Sequence, residues 1–146
     1  MPRAAAPKPT DAELGILRVL WERGPSTVRQ VHDVLGRERS SAYTTTLKLL
    51  QIMTDKGLVE RDERDRTHVY RARLTEEQTQ RQLIRDLLDR AFGGSAMKLV
   101  MKALAAKRAS PEELREIRRV IDAARQDGRA REPEHAERKE SRDDRV

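Results

Sequence analysis

The sequence predicts a mainly α-helical chain with one small β-hairpin, and three observations carry that expectation. Helix-starting pairs, in which a hydroxyl residue precedes a Glu or Gln by three positions, occur at Thr10/Glu13, Thr27/Gln30, Thr75/Gln78 and Ser110/Glu113. Apolar residues return at three- and four-residue spacing through most of the chain. Only the stretch LVERDERDRTHVYRARL changes to the two-residue alternation of strands.

The first helix is expected over about residues 11 to 23, where Leu14, Leu17, Val19, Leu20 and Trp21 follow the Thr10 cap and Gly24-Pro25 breaks the pattern. A short second helix over 28 to 35 would bury Val28, Val31, Val34 and Leu35 and stop at Gly36. The third begins after Ser40 or Ser41 and runs to Lys56, with Gly57 as its C-terminal cap. Its Ala42, Thr46, Leu47, Leu49, Leu50 and Met53 can face the first two helices, leaving Ser41, Thr44, Thr45, Lys48, Ile52 and Asp55 outward. Val59 and Arg61, then Val69, Arg71 and Arg73, alternate around the charged turn 62 to 66. Three helices followed by a hairpin is the element order of a winged helix-turn-helix.

Beyond Thr75, Leu83, Ile84, Leu87, Leu88 and Phe92 form one wide apolar stripe, broken at Gly93-Gly94. A further helix carries Leu99, Val100 and Leu104, and a last one, about 111 to 127, carries Leu114, Ile117 and Ile121. With so few aromatic residues or loops to close a core of its own, this region is expected to cover its stripes with a second copy of the chain. The organisation expected is a flexible arm over 1–9, a winged-helix DNA-binding domain over 10–74, a helical dimerisation region over 75–127 and a disordered charged tail over 128–146.

Composition narrows the function. At 146 residues, a large catalytic barrel is not expected, and with aromatics at 3% the core is mostly aliphatic. The absence of cysteine excludes disulfides, thiolate metal sites and cysteine nucleophiles. The opening MPRAAAPKPT lacks the apolar region of a secretory signal, and no run approaches the roughly 18 apolar residues of a membrane span. A cytoplasmic protein without stable membrane association is expected. The net charge of +6 favours a polyanionic partner. It concentrates in residues 1–74, with 14 basic and 10 acidic groups, while the segment after Gly128 is balanced at 6 and 6.

Those charges flank a helix face suited to duplex DNA. Ser41, Thr44 and Thr45 are short enough for close approach to the major groove, and Lys48 lies one turn further on, so these four are the expected base-reading residues. Arg37, Arg39, Tyr43, Arg64 and Arg66 are expected on the DNA backbone, with Tyr43 equally suited to packing against the second helix. His32, His68 and His135 have no ligand spacing, and no nucleophile elbow, phosphate loop or zinc motif appears, so neither an enzyme nor a bound cofactor or metal is expected.

The runs TDAELGILRVLWERGPSTVRQVHDVL, YTTTLKLLQIMTDKGLVERDERDRTHVYRARLT and LLDRAFGGSAMKLV resemble the penicillinase-repressor family of BlaI/MecI/CopY-type winged-helix repressors, over about residues 10 to 125. The resemblance implies a homodimer on a pseudo-palindromic operator, base-reading positions within 41 to 48, Trp21 and Tyr70 in the structural core, and a membrane sensor-protease that relieves repression. This chain has Ile52 where relatives often carry arginine, and Lys102-Ala103 where β-lactam-responsive members are cut at Asn-Phe. Without cysteine it also lacks the copper-responsive motif. The competing reading is a winged-helix protein-interaction module, suggested by Asp62, Glu63 and Asp65 on the hairpin.

Overall fold

The fold is described by a computed structural model over residues 8–39 and 41–131, with side chains described outside 37–39 and 129–131. The Thr10 hydroxyl accepts from the Glu13 N–H at 3.2 Å and starts α1, Asp11–Arg23. Thr27 and Gln30 cap each other reciprocally at 2.9 and 3.2 Å and open α2, Val28–Arg39. The third helix, α3, spans Tyr43–Lys56 and ends at Gly57, whose φ of 79° lies in the left-handed region. The Leu58 N–H closes back on the Met53 carbonyl at 2.9 Å, which turns the chain directly into the sheet.

That sheet has three antiparallel strands in the order β1-β3-β2: β1 at Ser26–Thr27, β2 at Val59–Asp62 and β3 at Val69–Ala72. The hairpin expected around residues 62–66 forms, and its register pairs Val59 with Ala72 and Arg61 with Tyr70. The first strand was not expected. Two residues are too short to show a period, and Ser26 and Thr27 become a strand only because Tyr70 and Val69 lie opposite them.

Core side chains come from α1, α2, α3 and the hairpin. Ile16, Leu17, Val19 and Leu20 of α1 meet Val31 of α2, Leu50 and Met53 of α3, and Val59 and Tyr70 of the sheet. Tyr70 is buried and Trp21 packs against this cluster, with its Nε1 donating to the Leu74 carbonyl at 3.0 Å. A half-buried ion pair closes this core: Lys56 Nζ reaches the buried Glu13 carboxylate oxygens at 2.5 and 3.2 Å, tying the start of α1 to the end of α3.

Three expectations are corrected. α2 does not stop at Gly36 but runs to Arg39. Gly36 serves close packing, because a Cβ there would sit 3.0 Å from the His32 ring. Ala42 is not a core residue: it is the exposed N-cap of α3, and the helix starts one residue later, at Tyr43. The last helix passes Gly128 and continues to Arg131, at a glycine cost of about 1 kcal/mol. The rest of the expected tail, and residues 1–7 of the expected arm, lie outside the described residues.

Thr75 and Gln78 form a reciprocal cap for α4, Glu76–Ala91, and Thr79 on its inner side is buried. One compact unit ends at Gly94, so it includes α4; the second begins at Ser95 and holds α5, Ala96–Ala106, and α6, Pro111–Arg131. Ser95 caps α5 and Ser110 caps α6, each accepting from the N–H three residues on.

Candidate nucleic-acid interface

The inner face of α3 is fixed by burial. Leu50 and Met53 have no exposed surface, and the Thr46 hydroxyl lies 3.2 Å from His32 Nδ1 of α2. A helix locked on one side presents a defined opposite side, and that side carries Thr44, Thr45, Lys48 and Ile52, all exposed. Ser41 sits before the N-cap and is half-buried, so it flanks the helix start rather than standing on its outer face.

Tyr43 packs against α2 while staying 40% exposed. Its ring meets His32 edge-on at 5.6 Å, and the Arg29 guanidinium lies over it at 5.2 Å. Tyr43 thus packs against α2, one of the two roles expected of it, and keeps part of its surface exposed. Arg37 and Arg39 are in the last turn of α2.

The hairpin is less uniformly basic than its sequence suggests. Arg71 pairs with Glu60, Arg61 with Glu63, and Arg64 lies 3.7 Å from Asp62. Arg61 is held above its ordinary pKa first by its hydrogen bond with Tyr70 and then by Glu63. Arg64 is nonetheless 90% exposed, and its N–H donates to Asp62 Oδ1 at 3.0 Å, which shapes the turn. Arg66 is exposed with no carboxylate partner among the described residues, and with Thr67 and His68 it faces a groove shared with Thr27, Arg29, Tyr43 and Leu47.

Arg29 is the residue that sequence reasoning missed. It precedes the basic cluster by eight positions and no spacing marks it; only the crossing of α2 with α3 sets it beside Tyr43.

The stripe residues lie as follows. On α4, Ile84 and Leu87 are exposed while Leu83, Leu88 and the C-cap Phe92 are half-buried. In the second unit Val100, Leu104, Leu114 and Ile121 are exposed, and Leu99 and Ile117 half-buried. Among the described residues no group of acidic or imidazole side chains could hold a metal ion, and no helix is long and apolar enough to cross a membrane.

A helix braced from behind, with a three-stranded sheet whose hairpin projects beside it, defines the winged-helix class of DNA-binding regulators. Within that class the penicillinase repressor family model matches residues 9–123, and the chain belongs to the penicillinase repressor family. This is a family of transcriptional regulators, not enzymes.

Among relatives, the transcriptional regulator BlaI of Mycobacterium tuberculosis (strain CDC 1551 / Oshkosh) is 44% identical over 61 residues, covering 41% of this chain and 44% of that protein. The chain thus matches less than half the length of that relative. The penicillinase repressor of Bacillus licheniformis is 22% identical over 116 residues, covering 80% of this chain and 91% of that one. Among solved structures, a MarR family protein from Bacillus stearothermophilus shares 22% identity, with 81% of this chain and 74% of that chain covered and a TM-score of 0.43.

Proposed function

We propose that the chain is a cytoplasmic, homodimeric repressor that reads a pseudo-palindromic operator with α3. The observation that carries this reading is the outer face of α3, where two short hydroxyl side chains and one lysine stand exposed on a helix whose other face is locked in the core. Thr44 and Thr45 offer hydroxyls to base edges and a methyl to thymine, and Lys48 reaches a guanine edge or a phosphate. Ser41 at the helix start joins them. Arg37, Arg39, Tyr43, Arg64 and Arg66 take the backbone, Arg64 through its exposure and Arg66 through the lack of a carboxylate partner among the described residues.

Dimerisation is supported by the exposed apolar faces of α4, α5 and α6, which a second copy would cover. Two α3 helices would then enter successive major grooves about one helical turn apart. Repression is steric, by overlap of operator and promoter. A membrane sensor-protease enters this reading on family resemblance alone. The pair at the family's cleavage position, Lys102-Ala103, is exposed on α5 and lacks the Asn-Phe side chains.

Band-shift titration tests the reading. Thr45→Ala should change preference among operator variants, whereas Arg66→Ala should weaken operator and random duplex alike, with affinity falling about 0.9 log unit per log unit of salt for each phosphate contact. Equal losses on both duplexes for both variants would remove α3 as the reading element. The wing's paired carboxylates favour one rival, a protein-interaction module, which predicts no duplex binding at all.

A further inference from the structure

Two grooves beside the wing differ in charge chemistry. One is lined by Glu60, Asp62 and Glu63 together with Arg61, Arg64 and Arg71, and these six groups pair with one another. The other, of about 260 Å³, is lined by residues from the start of α2, the first half of α3 and the approach to β3, and none of these lining residues is a carboxylate. Its cationic side chains are Arg29 and Arg66, with His68, Tyr43 and Thr27 as further hydrogen-bonding groups.

We propose that this groove seats a backbone phosphate of the DNA strand that passes between α3 and the wing, with Arg29 as its donor from α2. The inference rests on the DNA-binding reading and adds to it a site and a residue that the basic cluster of the sequence does not contain. Three features place the cation there. Arg29 has no ion-pair partner among the described residues, so its guanidinium donors are available. It lies 5.2 Å above the Tyr43 ring, which limits its side-chain freedom and lowers the entropy lost on binding. Tyr43 is in turn held by His32, whose Nδ1 is 3.2 Å from the buried Thr46 hydroxyl.

The chain of contacts therefore runs from the back of the recognition helix to a cation at its front edge. Arg66 lines the same groove from the wing, so α2 and the wing each contribute one cation to it. Because Tyr43 belongs to α3, the contact would also fix how far the helix enters the major groove. In this arrangement Tyr43 is a positioning residue and Arg29 a binding residue.

The test is fluorescence anisotropy of the full chain on a labelled random-sequence duplex over a salt series, with thermal melting of each variant. Arg29→Met should keep the melting temperature, bind about tenfold more weakly, and lower the salt slope by about 0.9 per protomer, while Arg29→Lys should keep the slope. Tyr43→Leu should weaken binding with the slope retained, since the charge remains. If Arg29→Met melts early, Arg29→Gln repeats the measurement with a polar side chain. An Arg29→Met protein matching wild type in affinity and slope, while Arg66→Ala loses both, would overturn the phosphate seat and leave the DNA reading intact. A wild-type chain that binds no duplex would overturn both.

Discussion

Replacing Lys56 with methionine would strand a carboxylate inside the first unit. The Glu13 side chain is 2% exposed and the Lys56 side chain 35%, with the ammonium 2.5 Å from Glu13 Oε1. Removing one partner of a fully buried pair costs about 3–5 kcal/mol, because the remaining charge has lost both water and its counter-ion. Here the lysine end reaches solvent and water can follow it, so the expected loss is about 2–3 kcal/mol. For a unit of this size that corresponds to a drop of about 10–20 °C in melting temperature.

The chain's single tryptophan, Trp21, sits on α1 in the same unit, so urea denaturation followed by its fluorescence reports the relevant transition. The double variant Glu13→Leu/Lys56→Met should recover most of the loss, since an apolar pair of similar volume avoids the desolvation of two charges. A Lys56→Met protein within about 0.5 kcal/mol of wild type would place the pair in the surface class and refute its role as the brace between α1 and α3.

Other perturbations separate packing from interface. Leu50→Ala, at a position with no exposed surface, should cost about 2–5 kcal/mol by urea denaturation and reduce duplex binding only in proportion to unfolding. Gly57→Ala should cost about 1–2 kcal/mol, because its φ of 79° is strained for any residue with a Cβ, while the nearest atom, Arg73 Nη1, can move aside. If α6 forms the proposed dimer interface, Ile121→Arg should shift the protein from dimer to monomer in light scattering without lowering the melting temperature of the first unit. An unchanged dimer would move the interface away from that helix. Thr45→Ala and Arg66→Ala, measured side by side, divide base reading from backbone contact as described above.

Local signals account for most of the secondary structure. Caps at Thr10, Thr27, Thr75 and Ser110, the left-handed terminator Gly57 and the alternation around residues 62–66 each act within a few residues of chain, so they are visible in a linear string. The same holds for the outward set Thr44, Thr45 and Lys48, which follows from helical period once Leu50 and Met53 are taken as inward. Where the sequence misled, the surroundings of a residue outweighed its own type. Gly36 reads as a stop, yet the His32 ring lies over it and the helix continues. Ser26-Thr27 carries no strand period, yet β3 pairs with it.

By itself, then, the sequence determined the order of the helices and the hairpin, the aliphatic core and the outward face of α3, because period and capping are properties of neighbours along the chain. Tertiary structure decided which charges stay available. Glu13 pairs with Lys56 across 43 positions, three wing arginines are taken up by wing carboxylates, and Arg29 and Arg66 line a groove that has no carboxylate in its lining. Electrostatic pairing depends on distance through space, and only the packing of α1, α2, α3 and the sheet sets those distances.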